Sequence, residues 1–396
     1  MKSGALVSEL TRNHYVQLDG LRGLAILMVM VYHFCLTLPG FQAPGVGFPL
    51  QLAQAGWMGV DLFFVLSGFL ITNILIETRA TRNYFRNFIA RRTLRIWPLY
   101  YLNLIVFFVV LPMVLHPLPD PLRSMQDKQA WFWLYGANWL FAREAGFGHT
   151  SGGYFWSLAV EEQFYVLWPL VVYLLSNRTL LRTSLGLLVL SLILRIVLGS
   201  LGVIGNSLYV VTFTHLDGLA VGSTLAVCLR DPKLTAVVRR VLPFAAVLGL
   251  AGLVAARLTG GDYFFWGKGM STYGYTAIAL LFGALLMYAL DNGPALVLNR
   301  FLSTGFMRQT GKYSYALYVV HVPIAGTVAA AVARLVAPRI GAVPSFFVFV
   351  ALAFGASWLA SVLSWNLFEK RVLALKRYFE YGKAETMRAS SASSRT

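Results

Sequence analysis

Apolar runs of 17 residues or more recur along the whole length of this chain, and only a bilayer gives so many of them a common solvent. Ten can be delimited, at 21–38, 57–77, 96–115, 156–175, 183–204, 213–229, 241–258, 272–290, 313–334 and 344–368. Of 396 residues 58% are hydrophobic and only 12% charged, and the mean hydropathy is +0.65. The fold class that follows is all-α integral membrane, with about ten transmembrane helices. An eleventh apolar piece, 131–141, is short and carries Trp131, Trp133 and Trp139; it reads as an interfacial segment between helices three and four. The first run contains His33 and lacks a convincing small-residue cleavage site, so it reads as a retained span.

The net charge of +17 would suggest nucleic acid in a soluble protein. Here it has a topological reading, with no nucleic-acid partner. With the N-terminus inside, 25 of the 33 Lys and Arg residues fall on cytoplasmic segments, counting Arg22 at the mouth of the first span. Seven fall on external loops or their edges, and Arg195 lies within the fifth span. This asymmetry predicts cytoplasmic N- and C-termini. Residues 1–380 form one membrane domain, and the small polar residues 381–396 read as a disordered cytoplasmic tail. Cys35 and Cys228 fall near opposite faces, so no disulfide is expected, and no cysteine metal motif occurs.

Ionisable groups at membrane depth are costly and therefore mark function. His33, Asp61, Ser157, Glu161, Glu162 and Asp217 come from four spans. At about 1.5 Å per residue, all sit roughly 6–9 Å below the outer surface. Arg22 and His33 are eleven residues apart, three helical turns plus about 20°, so one face of helix one links the cytoplasmic rim to this layer. Ser157 and Glu161, spaced i, i+4, share a face. Asp61 has a second reading as a cap or ion pair near a span end. His321 either faces the same interior or is a core histidine bonded to a neighbouring Tyr.

The stretch "TRATRNYFRNFIARRTLRIWP" carries six arginines. Topology and contact with anionic lipid explain them in part. Arg92 and Arg95, spaced i, i+3, could also fork onto one phosphate on the cytoplasmic side.

These stretches together resemble the acyltransferase-3 family of bacterial integral-membrane acyltransferases. The resemblance covers roughly residues 17–370. It rests on "LDGLRGLAILMVMVYH", "GVDLFFVLSGFLIT", "RRTLRIWPLYYLN", "WSLAVEEQFYVLWPL", "YSYALYVVHVPI" and "FEKR". The chain looks like the short form, without the hydrolase-like domain some members carry. The resemblance implies a multi-pass protein of the bacterial plasma (inner) membrane. It implies transfer of an acyl group, commonly acetyl, from cytoplasmic acyl-CoA to a hydroxyl of a surface or exported glycan.

The depths derived above fit that chemistry. A sugar hydroxyl needs a base, and imidazole titrates near neutral pH, so His33 is the expected base with Glu161 as its carboxylate partner. Arg22, Arg92 and Arg95 would hold the acyl-CoA phosphates. Ser157, Trp156, Asp61 and His321 are further expected substrate-binding residues. No permanently bound cofactor and no metal is expected, because the histidines are dispersed. The competing reading is a multi-span transporter or glycan flippase, encouraged by the repeat of "LDGL" at 18–21 and 216–219.

Overall fold

The computed structural model describes residues 16–37, 53–147, 152–203, 205–260, 263–291 and 296–381. Among these there are helices and turns and no strand. Ten helices carry the architecture: α1 (Val16–Thr37), α2 (Gly59–Thr78), α3 (Tyr84–Ile105), α4 (Phe155–Leu174), α5 (Asn177–Ser200), α6 (Asp217–Cys228), α7 (Pro232–Gly260), α8 (Tyr275–Asp291), α9 (Ser314–Leu335) and α10 (Ala342–Ser364). Eight of them, with their short flanking turns, are long and apolar enough to cross a membrane. The other two are α4, which carries Glu161, Glu162 and Gln163, and α6, which has only 12 residues. Both coincide with expected spans. The expected tail lies outside the described residues except for Tyr381.

Two details differ from the sequence reading. First, α3 starts at Tyr84 rather than near 96 and runs on through a π turn, Val106–Val110. Pro98 lies inside the helix without ending it, so the arginine-rich stretch runs on into the apolar segment and Arg86, Arg91, Arg92 and Arg95 lie on helix. Second, the region 131–141 forms two short helices, Gln129–Trp133 and Ala137–Arg143. Tyr135, at φ 52°, turns the chain between them.

The centre of the molecule is α2, most of whose residues are buried. It packs along α6 and touches α1, α4 and α8. Small residues allow the α2–α6 approach. A Cβ on Gly68 would run into the Leu219 carbonyl, and one on Gly222 into that of Val65. Helices α5, α7 and α10 are peripheral and present Leu, Val, Ile and Phe outward, as lipid contact demands. Polar side chains are drawn inward, to α1, α2, α4, α6 and α9.

A buried ionic knot closes the interior beside α6. Arg195 of α5 donates from Nη1 and Nη2 to the two carboxylate oxygens of Asp217, at 2.5 and 3.0 Å. It also donates from Nε to the carbonyl of Thr272, in the π turn Met270–Gly274, and from Nη1 to that of Thr214. Asp217 accepts a further bond from Thr276. Nearby, His215 Nε2 lies 2.8 Å from Asp61 Oδ1, while its Nδ1 donates to the Tyr209 carbonyl. All four charged or titratable side chains are fully buried, which is tolerable only because each finds a polar partner.

Candidate active site

The site is a column of three cavities that share walls. The first, about 490 Å³, is lined by Asp19, Arg22, Arg95, Arg308, Lys312 and Trp365, with neighbouring residues of the short helix Gly305–Lys312. The second, about 100 Å³, has Arg22, Arg92 and Arg95 at one end and Ser67, Ser157, Glu161, Tyr165 and Tyr318 further in. The third, about 210 Å³, is lined by His33 and by Tyr32, Trp57, Tyr154, Trp156, Tyr209, Phe265 and Tyr318. Arg22 and Arg95 belong to the first and second, Val60 and Tyr318 to the second and third.

The lower end is strongly cationic. Arg22 has one acidic neighbour, Asp19, at 3.4 Å. Arg92 lies over the rings of Phe88 and Tyr165, at 5.7 and 5.9 Å. Neither Arg92 nor Arg95 hydrogen-bonds a protein acceptor among the described residues. Lys312 Nζ sits 4.9 Å above the Trp365 ring. Gathering like charges around a void is unfavourable unless an anion enters it. Other arginines of the same stretch are structural. Arg79 caps the C-terminus of α4 through the Leu175 carbonyl and Asn177, and Arg91 holds the turn Leu375–Phe379 through the carbonyls of Lys376 and Phe379.

In the middle, Ser67 donates to Glu161 Oε1 at 2.7 Å and accepts from Tyr165 at 3.1 Å. Ser157 Oγ and the Tyr318 hydroxyl lie 2.5 Å apart, and Tyr318 also donates to the Tyr154 carbonyl. This hydroxyl pair stands at the boundary between the second and third cavities.

Above the boundary, His33 Nδ1 is 3.0 Å from the Val29 carbonyl and 3.1 Å from His321 Nε2. His321 is fully buried, and its Nδ1 is 2.9 Å from the carbonyls of both Leu317 and Tyr318. The rest of the third cavity's wall is largely aromatic.

A family pattern described as an acyltransferase domain matches residues 15–362. The chain belongs to the acyltransferase-3 family. It is 31% identical over 335 residues to the peptidoglycan O-acetyltransferase OatA of Listeria monocytogenes, a match covering 79% of this chain and 50% of that protein. It is 29% identical over 322 residues to the O-acetyltransferase OatA of Staphylococcus aureus, covering 78% and 50%. The chain thus spans about half the length of the curated relatives it matches. No solved structure matches it.

Within this family member the expected site residues are distributed as follows. Arg22, Arg92 and Arg95 meet at the cationic end, with Ser157 and Glu161 directly inward of them. Trp156 and His33 line the third cavity. Two pairings differ from expectation. Glu161 bonds Ser67, and no bond joins it to His33 among the described residues; the side chain that meets His33 is His321. The face of α4 shared by Ser157 and Glu161 looks toward α2 and the second cavity, below the hydroxyl boundary. Asp61 lines none of the three cavities. It is sequestered with His215, because a carboxylate enclosed by α2 and α6 needs a buried partner. His321 lines none of the three cavities either; its Nε2 meets His33.

Sequence reading passed over Ser67, Tyr318, His215, Arg308 and Lys312. The last two enter there only as cytoplasmic charges. Their i, i+4 spacing, which sets both on one helix face, was the available signal. Among the described residues no group of three or more metal-ligating side chains occurs.

Proposed function

We propose that this protein transfers an acyl group, acetyl in the first instance, from acyl-CoA on the cytoplasmic side to a hydroxyl of a carbohydrate on the outer side of the bacterial plasma membrane. The observation that carries the reading is the run of shared cavity walls. It leads from a cluster of arginines, past Ser157 and Tyr318, to the imidazole of His33.

Acyl-CoA is a polyanion with a long thin arm. Its phosphates stay at Arg22, Arg92 and Arg95, and its arm lies along α1, where Arg22 and His33 are roughly 16 Å apart along the axis. His33 takes the proton of the acceptor hydroxyl. The acceptor oxygen attacks the thioester carbon, the carbon–sulfur bond breaks, and the same proton passes to the departing sulfur. Ester and free thiol result, with no net gain or loss of protons. Ser157 and Tyr318, bonded to each other and to the Tyr154 carbonyl, form the polar constriction that the arm passes on its way to His33.

On the acceptor side, an aromatic wall suits the apolar faces of a sugar ring. The naming of similar proteins as peptidoglycan O-acetyltransferases favours a cell-wall or exported glycan.

The test is transfer itself. Inside-out membrane vesicles containing the protein receive radiolabelled acetyl-CoA outside and glycan fragments in the lumen. Label is expected in ester linkage on the glycan, and it should vanish with His33→Ala while the protein stays present. Glycan crossing the membrane without acquiring label would overturn the reading in favour of a flippase.

A further inference from the structure

We infer that His321 is a positioning residue for His33: it selects the tautomer in which His33 turns a bare Nε2 toward the third cavity. The inference rests on the proposed acyl transfer for its purpose, but not for its geometry.

Carbonyl oxygens only accept hydrogen bonds. The Leu317 and Tyr318 carbonyls both face His321 Nδ1, so that nitrogen carries a proton. A neutral His321 therefore has no proton on Nε2, which must accept. The atom it faces is His33 Nδ1, at 3.1 Å, and the Val29 carbonyl faces the same nitrogen at 3.0 Å. Two acceptors converge on His33 Nδ1 and hold its proton there. The lone pair of a neutral His33 is then on Nε2, which makes no bond among the described residues, on the ring edge left for the cavity that His33 lines. The aromatic rings in contact with the pair are those of Tyr32, Tyr154 and Tyr318. No carboxylate bonds either ring among the described residues.

The arrangement does with a neutral imidazole what a buried carboxylate does in a serine hydrolase. When His33 takes the acceptor's proton on Nε2 it becomes an imidazolium. Its Nδ1–H still donates to His321 Nε2, which spreads the charge without placing an anion beside the thioester. His321 in turn is fixed by two backbone carbonyls of its own helix, so α9 sets the angle of a ring on α1.

The tautomer can be read directly on the wild-type protein. Protein labelled with 15N-histidine, in lipid nanodiscs at neutral pH, is examined by nitrogen NMR, with His33 assigned by the signal lost in His33→Gln. A protonated Nδ1 and an unprotonated Nε2 are expected; the opposite tautomer overturns the inference whether or not transfer occurs.

Kinetics give the second arm. His321→Ala should lower kcat about 10–100-fold, the usual cost of removing a partner of a reacting group, with donor KM unchanged. His321→Gln, whose amide oxygen can occupy the Nε2 position, should recover most of that loss. His321→Asn, whose amide reaches only as far as Nδ1, should not. Equal kcat in the Gln and Asn variants, or an Ala variant within twofold of wild type, overturns it. Absence of transfer by the wild type would instead refute the proposed function and leave the tautomer standing.

Discussion

Arg195 spends all three guanidinium nitrogens inside the protein, on Asp217, Thr276 and two carbonyls. Replacing Asp217 by Asn leaves that charge buried without its counter-ion, a loss of about 3–5 kcal/mol. The expected outcome is a marked drop in the melting temperature of detergent-solubilised protein. Asp61→Asn should likewise act on stability, because Asp61 meets His215 and not a cavity; a change in either substrate's KM at unchanged melting temperature would contradict this. His33→Ala should behave in the opposite way. It removes the proposed base and should lower kcat by about 10²–10⁴-fold, with folding intact, in the vesicle transfer assay.

At the scale of elements, the α2–α6 contact governs the site, because α2 carries Ser67, whose hydroxyl holds Glu161. Gly68 and Gly222 let the two backbones meet. Gly222→Val forces a branched side chain against the Val65 carbonyl and must part the helices. A loss of about 1–3 kcal/mol is expected, as for other overpacked interiors, read as a lower melting temperature. The same substitution on α10, at the exposed Gly355, where a Cβ meets nothing within 4 Å, should be near neutral. Helix α3 has a different task. Starting at Tyr84, it places Arg92 and Arg95 one turn apart on the cavity wall, while Arg91 on another face ties down the turn Leu375–Phe379.

For the molecule as a whole, charge is segregated along the column of cavities: Arg22, Arg92, Arg95, Arg308 and Lys312 at one end, aromatic rings at the other. Donor KM for acetyl-CoA should therefore rise with ionic strength, while the KM of a neutral glycan stays flat. Arg308→Ala and Lys312→Ala should each raise donor KM by about tenfold, the worth of one charge-assisted hydrogen bond, without altering acceptor KM. Orientation has its own check. In a cysteine-free background, a cysteine at position 82 should react with an impermeant thiol reagent only in inside-out vesicles, and one at position 128 only in right-side-out cells.

What the sequence determines by itself is whatever depends on local periodicity and composition. The apolar runs announce membrane helices, because no soluble core can bury so many. The eleven-residue spacing of Arg22 and His33 aligns them on α1, because 3.6 residues make a turn. The spacing of Arg92 and Arg95 likewise predicts a shared face. Partnership is another matter. By depth and chemistry Glu161 is the companion expected for His33, and only packing puts His321 there instead. His33 and His321 are 288 positions apart, and Asp61 and His215 are 154 apart. Which polar groups meet across such distances depends on the order in which helices neighbour one another and on the rotation of each about its own axis. Neither quantity is written in any one helix, so the assignment of Glu161 to Ser67, of Asp61 to His215 and of His321 to His33 belongs to the tertiary structure alone.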